Sequence, residues 1–107
     1  MEIYKYQEIS KRTIPTDNWK TALPNFCMGL AGESGELIDH LKKLVYHNHF
    51  GDKEYIEKEL GDIMWYIAAI ATTLEIDLSK VLEINIDKLK QRYPNGFTSI
   101  DSKNREE

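Results

Sequence analysis

Long apolar runs are missing from this sequence. No stretch approaches the ~20 residues that cross a bilayer, and the opening Met1-Glu2-Ile3-Tyr4-Lys5 lacks the apolar core of a signal peptide. Cysteine is almost absent as well. Cys27 stands alone, so no intramolecular disulfide can form and a reducing compartment fits. A cytoplasmic location is expected, with Cys27 read as a small buried apolar residue. Positive charge is in deficit, the formal net charge being −4. That argues against sequence-independent binding to duplex DNA, which relies on clustered cations. A small anionic ligand is not excluded, because a bound metal can reverse the local sign.

What is present points to one helical domain. At 107 residues there is room for a single core, and neither repeats nor low-complexity tracts occur. Strand alternation is weak. Ile56, Leu60, Ile63, Ile67, Ile70 and Leu74 recur at intervals of three and four instead, which is helical spacing. A first helix is expected over residues 1–12, broken by Ile14-Pro15-Thr16-Asp17-Asn18. A second starts around Pro24-Asn25, where proline suits a first turn, and runs to about Tyr46. His47-Asn48-His49-Phe50-Gly51 forms a joint, read as a solvated turn, and Asp52 caps a third helix that reaches about Leu74. Asp77 or Ser79 caps a fourth, ended near Arg92 by Pro94, Asn95 and Gly96. Residues 98–107 hold one aliphatic side chain and read as a frayed polar tail after a domain of residues 1–97. The expected architecture is an all-α, antiparallel four-helix-bundle-like core, and such short helices would complete it by oligomerising.

Four acids stand out against this frame. On the second helix Leu30, Leu37, Leu41 and Leu44 make one stripe. At roughly 100° per residue, Glu33 falls about 50° to one side of its centre and Glu36 about 110° to the same side. On the third helix Glu59 falls about 60° and Asp62 about 120° from the Ile56-to-Leu74 row, again on one side. Antiparallel neighbours are related by a two-fold axis that preserves such offsets, so both pairs should meet on one flank with Glu33 and Glu59 bordering the core. Four converging carboxylates repel unless neutralised. A hard cation such as Mg²⁺ resolves this, with Mn²⁺ or Ca²⁺ tolerated. The alternative is a set of solvated surface acids. Gly32, Gly35 and Gly61 neighbour the acids inside helices, at roughly 0.5–1 kcal/mol each relative to alanine. Close approach of a backbone or ligand would justify that cost, and local fraying is the alternative.

The fourth helix has its own anomaly. Its inward row of Leu78, Leu82 and Leu89 also takes in Asn85 and Arg92, with Lys88 beside it. One reading is a polar strip whose Lys88 and Arg92 meet phosphate oxygens. The other is structural: a core Asn can fix register, and Arg92 suits a helix C-terminus.

The segment Gly29-Leu30-Ala31-Gly32-Glu33-Ser34-Gly35-Glu36-Leu37, followed by Lys58-Glu59-Leu60-Gly61-Asp62-Ile63-Met64-Trp65-Tyr66, resembles the MazG-like nucleotide pyrophosphohydrolases of the all-α nucleoside triphosphate pyrophosphatase superfamily. The similarity extends through Asn85-Ile86-Asp87-Lys88-Leu89-Lys90-Gln91-Arg92-Tyr93-Pro94 and covers roughly residues 22–97. The resemblance implies a four-helix core, Mg²⁺ dependence and a homodimer or homotetramer. It further implies metal binding and catalysis by Glu33, Glu36, Glu59 and Asp62, and nucleotide contacts from Asn85, Lys88 and Arg92. Whether Trp19, Phe26 or Trp65 stacks on a base is left open.

The reaction implied is hydrolysis of a nucleoside triphosphate to monophosphate and pyrophosphate, with a Glu33/Glu36 carboxylate orienting or deprotonating the water. No Gly-x-Ser-x-Gly elbow is present. A di-iron bundle needs Glu-x-x-His pairs, and none of His40, His47 or His49 follows a Glu by three. Two further alternatives stand: a superfamily enzyme acting on phosphoribosyl-ATP, and a non-catalytic helical interaction module.

Overall fold

The computed structural model describes residues 1–15, 18–46 and 53–104. The proposed joint at His47 to Gly51 and the proposed cap Asp52 fall outside them. The described residues form α1 (Ile3–Ser10), a 3₁₀ turn (Lys11–Thr13), α2 (Trp19–Tyr46), α3 (Lys53–Thr73), α4 (Leu78–Arg92) and α5 (Ser99–Lys103). The protein is all-α.

α2 begins before its proline, not at it. The Asn18 side chain accepts a hydrogen bond from the Lys20 amide at 3.0 Å, and the Asn18 carbonyl accepts from Ala22 at 2.9 Å. This cap launches the helix at Trp19, leaving Pro24 just past the first turn. Only one helical N–H is thereby lost, that which would have bonded the exposed Lys20 carbonyl.

α2 and α3 form the main packed pair. Near the start of α2, Phe26 meets Trp65 and the Gly29 backbone abuts Tyr66, whereas His40, further along α2, meets Tyr55 near the start of α3. The hairpin is therefore antiparallel. Gly29 has a packing reason, because a Cβ there would run into the Tyr66 ring. Gly32, Gly35 and Gly61 do not: a Cβ on any of them would meet open space in the described chain.

The end of α3 is a Schellman motif built on a non-glycine. Glu75 takes the left-handed conformation at φ 58°, its amide bonds the Thr72 carbonyl at 3.1 Å, and the Ile76 amide bonds the Ala71 carbonyl at 2.7 Å. Asp77 then caps α4 by accepting from the Ser79 amide at 2.9 Å. Gln7 of α1 clasps this joint. Its Nε2 donates to Thr72 Oγ1 at 3.1 Å and to the Ile76 carbonyl at 2.9 Å, while its Oε1 accepts from the Leu78 amide at 2.9 Å. Residues outside the acid-bearing hairpin thus fix where α4 departs.

The core is smaller than the stripes predict. Among the described residues the buried apolar ones are Phe26, Ala68, Ala69, Ala71 and Leu78, with Ile3, Tyr6, Met64 and Ile67 packed around the α3–α4 end of that set. Leu41, Leu60, Leu74, Leu82 and Leu89 from the expected inward rows are exposed. A four-helix core is thus not closed within one chain: α4 packs on α1 and α3 near Leu78 and residues 81–90 are exposed throughout. The Cα radius of gyration of 16.9 Å exceeds the ~13 Å of a compact domain of this length.

Two further expectations are corrected. Cys27 is exposed, not buried, because α2 turns it away from the α3 contact that buries Phe26. The stretch read as frayed carries α5, capped by Thr98, whose side chain accepts from the Asp101 amide at 3.0 Å. No described helix is long and apolar enough to cross a membrane.

Candidate metal centre

The antiparallel hairpin brings the acids of α2 and α3 to one flank. One carboxylate oxygen from each of Glu33, Glu59 and Asp62 lies within 4.8 Å of the others. Glu59 is buried at 6% exposure, Glu33 is half-buried, and Asp62 is exposed. The inner member of each pair therefore borders the core and the outer member faces solvent, the order that the helical offsets require. Glu36 does not join this trio. It is exposed on the turn after Glu33, near enough for its charge to act on Glu33.

The electrostatics follow from the crowding. A hydrogen bond to Glu59 raises the Glu33 carboxyl to about 7, with desolvation and the charges of Glu36, Glu59 and Asp62 adding to the shift. Without a cation, the Glu33 carboxyl thus holds its proton more tightly than a solvated one. Even so, Glu33 Oε2 and Glu59 Oε2 are buried without a hydrogen-bond partner among the described residues. Buried carboxylate oxygens left in this state are costly. Three acids with two such oxygens suit a hard divalent cation, which accepts carboxylate oxygen and cancels the repulsion. The residues fit Mg²⁺ and Mn²⁺ alike.

Two aromatic neighbours of the acids escaped the sequence reading. Tyr55 hydrogen-bonds to Glu59, and that bond, with desolvation and the acidic surroundings, raises its phenol. His40 stacks edge to face on Tyr55. The signal was available: Tyr55 precedes Glu59 by four residues and His40 follows Glu36 by four, which puts each on the same helical flank as its acid. From α1, Tyr6 also senses the site; burial, then the charge of Asp62, raises its phenol.

α4 contributes less to this geometry. Asn85 and Lys88 lie on its exposed stretch, and Arg92 is half-buried with its Nε enclosed. Of the aromatic side chains considered for base stacking, Phe26 and Trp65 pack on each other with centroids 5.6 Å apart, and Trp65 donates to Thr13 Oγ1 at 2.7 Å. Trp19 is exposed and lines a cleft of about 350 Å³ with Ile14, Pro15 and Ala22.

The comparisons with known proteins identify the family. Residues 24–97 match the model of the MazG nucleotide pyrophosphohydrolase domain. The chain belongs to that family, and the family implies pyrophosphohydrolase chemistry on nucleotides in general. It is also similar to the Gene 37 protein of Mycobacterium phage L5, with 35% identity over 82 residues that span 73% of this chain and 72% of that protein. No solved structure gives a significant match.

Proposed function

We propose that the protein hydrolyses nucleoside triphosphates between the α and β phosphates, releasing a nucleoside monophosphate and pyrophosphate, with Mg²⁺ or Mn²⁺ at the acid cluster. One observation carries this reading: buried, unpartnered oxygens on Glu33 and Glu59, beside Asp62, in a domain of the MazG family. A cation held by Glu33, Glu59 and Asp62, with Glu36 at the rim, would neutralise phosphate charge and make a nearby water more acidic.

The chain's own groups supply the remainder. A carboxylate of the Glu33/Glu36 pair takes the water proton as the water oxygen bonds to the α-phosphorus. The bond from that phosphorus to the α–β bridging oxygen breaks, and pyrophosphate departs with the electron pair. Asn85, Lys88 and Arg92 bind the nucleotide in this reading, with Arg92 as a planar fork and Lys88 as a point charge. Their shared side of α4 and the exposure of Asn85 and Lys88 support that role.

Residues 1–97 form the working unit in this reading, and a second copy, in a homodimer or homotetramer, closes the bundle. The bare apolar residues Leu82, Ile86 and Leu89 of α4 and Leu41 of α2 support that closure. The test is a panel of ribo- and deoxyribonucleoside triphosphates, with phosphoribosyl-ATP included, incubated with Mg²⁺. Pyrophosphate and orthophosphate are measured separately. Pyrophosphate is the expected primary product; orthophosphate alone would overturn the α–β assignment.

A further inference from the structure

The clasp that α1 places on the α3–α4 joint starts from a residue outside 24–97, the span of the family domain. Gln7 is buried at 9% exposure, and its amide reaches three points in turn. Nε2 donates to Thr72 Oγ1 at 3.1 Å, in the last turn of α3, and to the Ile76 carbonyl at 2.9 Å, in the connector. Oε1 accepts from the Leu78 amide at 2.9 Å, the first of α4. A primary amide suits the place because it carries donors and an acceptor together. Neither a carboxylate, which only accepts, nor an apolar chain could make all three bonds.

The Leu78 amide is one of the N–H groups that a helix leaves unpaired at its start. Asp77 accepts from the next, that of Ser79, so α4 is capped partly by its own connector and partly by α1. Between the two helices Glu75 sits at φ 58°, a left-handed conformation that a non-glycine residue takes at a cost. The Gln7 bonds fall on either side of that residue and brace the turn. An angle set here is magnified along the helix. At 1.5 Å per residue, Lys88 lies about 15 Å and Arg92 about 21 Å beyond Leu78. A tilt of about 10° at the root then displaces Lys88 by about 3 Å and Arg92 by about 4 Å, as much as a hydrogen bond is long. α4 packs on α1 and α3 near Leu78, whereas residues 81–90 are exposed, so within the described chain the root sets the course of that stretch.

We propose that Gln7 is a positioning residue for nucleotide binding: by joining the end of α3, the connector and the first amide of α4, it sets the angle at which α4 offers Asn85, Lys88 and Arg92 to the triphosphate. The inference rests on the reading of that row as the nucleotide contacts. Gln7 itself need not touch the nucleotide, and the acid cluster, carried by α2 and α3, does not depend on it. Its loss should therefore appear in substrate binding and not in the metal site or the chemical step.

The experiment is steady-state kinetics of the full chain on the triphosphate it turns over fastest, at saturating Mg²⁺ and below the melting temperature of each variant. Gln7→Met keeps the side-chain length and loses all three bonds. KM rises roughly tenfold, as for the loss of one charge-assisted hydrogen bond, while kcat and the affinity for Mn²⁺ alone stay those of the wild type. Thr72→Val removes one bond of the three and raises KM by less. In Gln7→Met combined with Lys88→Ala, KM rises by less than the product of the single effects, because both act on one contact. Wild-type KM in Gln7→Met, with KM raised in Lys88→Ala, overturns the proposal and leaves the nucleotide row standing, whatever the melting temperature does. Should Gln7→Met fail to fold, wild-type KM in Thr72→Val overturns it instead. Fully multiplicative effects in the double variant overturn it as well. Wild-type KM in each of Asn85→Ala, Lys88→Ala and Arg92→Ala overturns the row itself, and the proposal with it.

Discussion

The acid flank of the α2–α3 hairpin and the outer face of α4 both carry charged side chains but differ in how one chain completes them. On the hairpin, Glu33 and Glu59 are drawn into the boundary of the core and acquire partners across the interface. On α4, residues 81–90 are exposed along their whole length, and apolar Ile84 and Ile86 face solvent at 57% and 49%. Packing within the hairpin brings Glu33, Glu59 and Asp62 together, so the placing of these acids is decided locally. Leu78 and the Gln7 clasp fix the root of α4, whereas residues 81–90 are bare among the described residues.

That contrast can be broken most forcefully by kinetics. Glu33→Gln and Glu59→Gln should each lower kcat by at least roughly a hundredfold, since even residues that merely orient metal ligands reach that range. Lys88→Ala should behave otherwise. A lysine that binds phosphate equally in ground and transition states raises KM and leaves kcat unchanged, here by roughly tenfold, in keeping with one charge-assisted hydrogen bond. Steady-state kinetics on the preferred triphosphate decides. A kcat loss in Lys88→Ala as deep as that of the acids would put α4 at the reacting centre.

The hairpin was also the more legible region. Angular offset on a helix is set by residue spacing alone, so the convergence of Glu33, Glu59 and Asp62 could be read before any packing was known, although the same offsets also placed Glu36 there and it stays outside the trio. Burial could not. The Leu60, Leu74, Leu82 and Leu89 rows carry a core pattern, yet each of these leucines is exposed, because burial depends on a covering element that the row itself does not specify. Local competition hid other features. Asn18 and Pro24 both offer a start for α2, and the cap wins since Pro24 forfeits a single bond. Glu75 adopts a conformation usually given to glycine, which no residue preference announces. The Thr98 cap, with Asp101 three residues on, was a readable helix start that the polarity of the tail obscured.

A pH experiment isolates the hairpin from the rest. The Glu33 carboxyl is raised from 4.5 to about 7, so the metal-free folded state binds this proton more tightly than the unfolded chain does. Its stabilising contribution is then fully present below about pH 4.5 and lost as pH rises through about 7. Metal-free melting temperature should fall across that window, and Glu33→Gln should flatten the slope. Mg²⁺ should reverse the trend at neutral pH, because the cation binds the ionised acids and stabilises by mass action. Melting curves in chelator and in Mg²⁺ from pH 4.5 to 8 give the answer. A wild-type slope in Glu33→Gln would assign the proton elsewhere.

The smallest effects sharpen the comparison at single atoms. Gly29 and Gly35 lie on the same helix, yet only Gly29 is closely covered within the chain. Gly29→Ala must push the Tyr66 ring aside, and Tyr66 also leans on Trp65 with centroids 5.1 Å apart. Overpacking of this kind costs about 1–3 kcal/mol, more than the roughly 1 kcal/mol that alanine returns in helix propensity, so the melting temperature should drop. Gly35→Ala meets nothing within 4 Å and should raise stability by about 0.5–1 kcal/mol. Its position two residues past Glu33 gives the measurement a second use. If Gly35→Ala is stabilised as a folded chain but loses turnover or self-association, the open space over this glycine is occupied in the working protein, by substrate in the first case and by a second copy in the second.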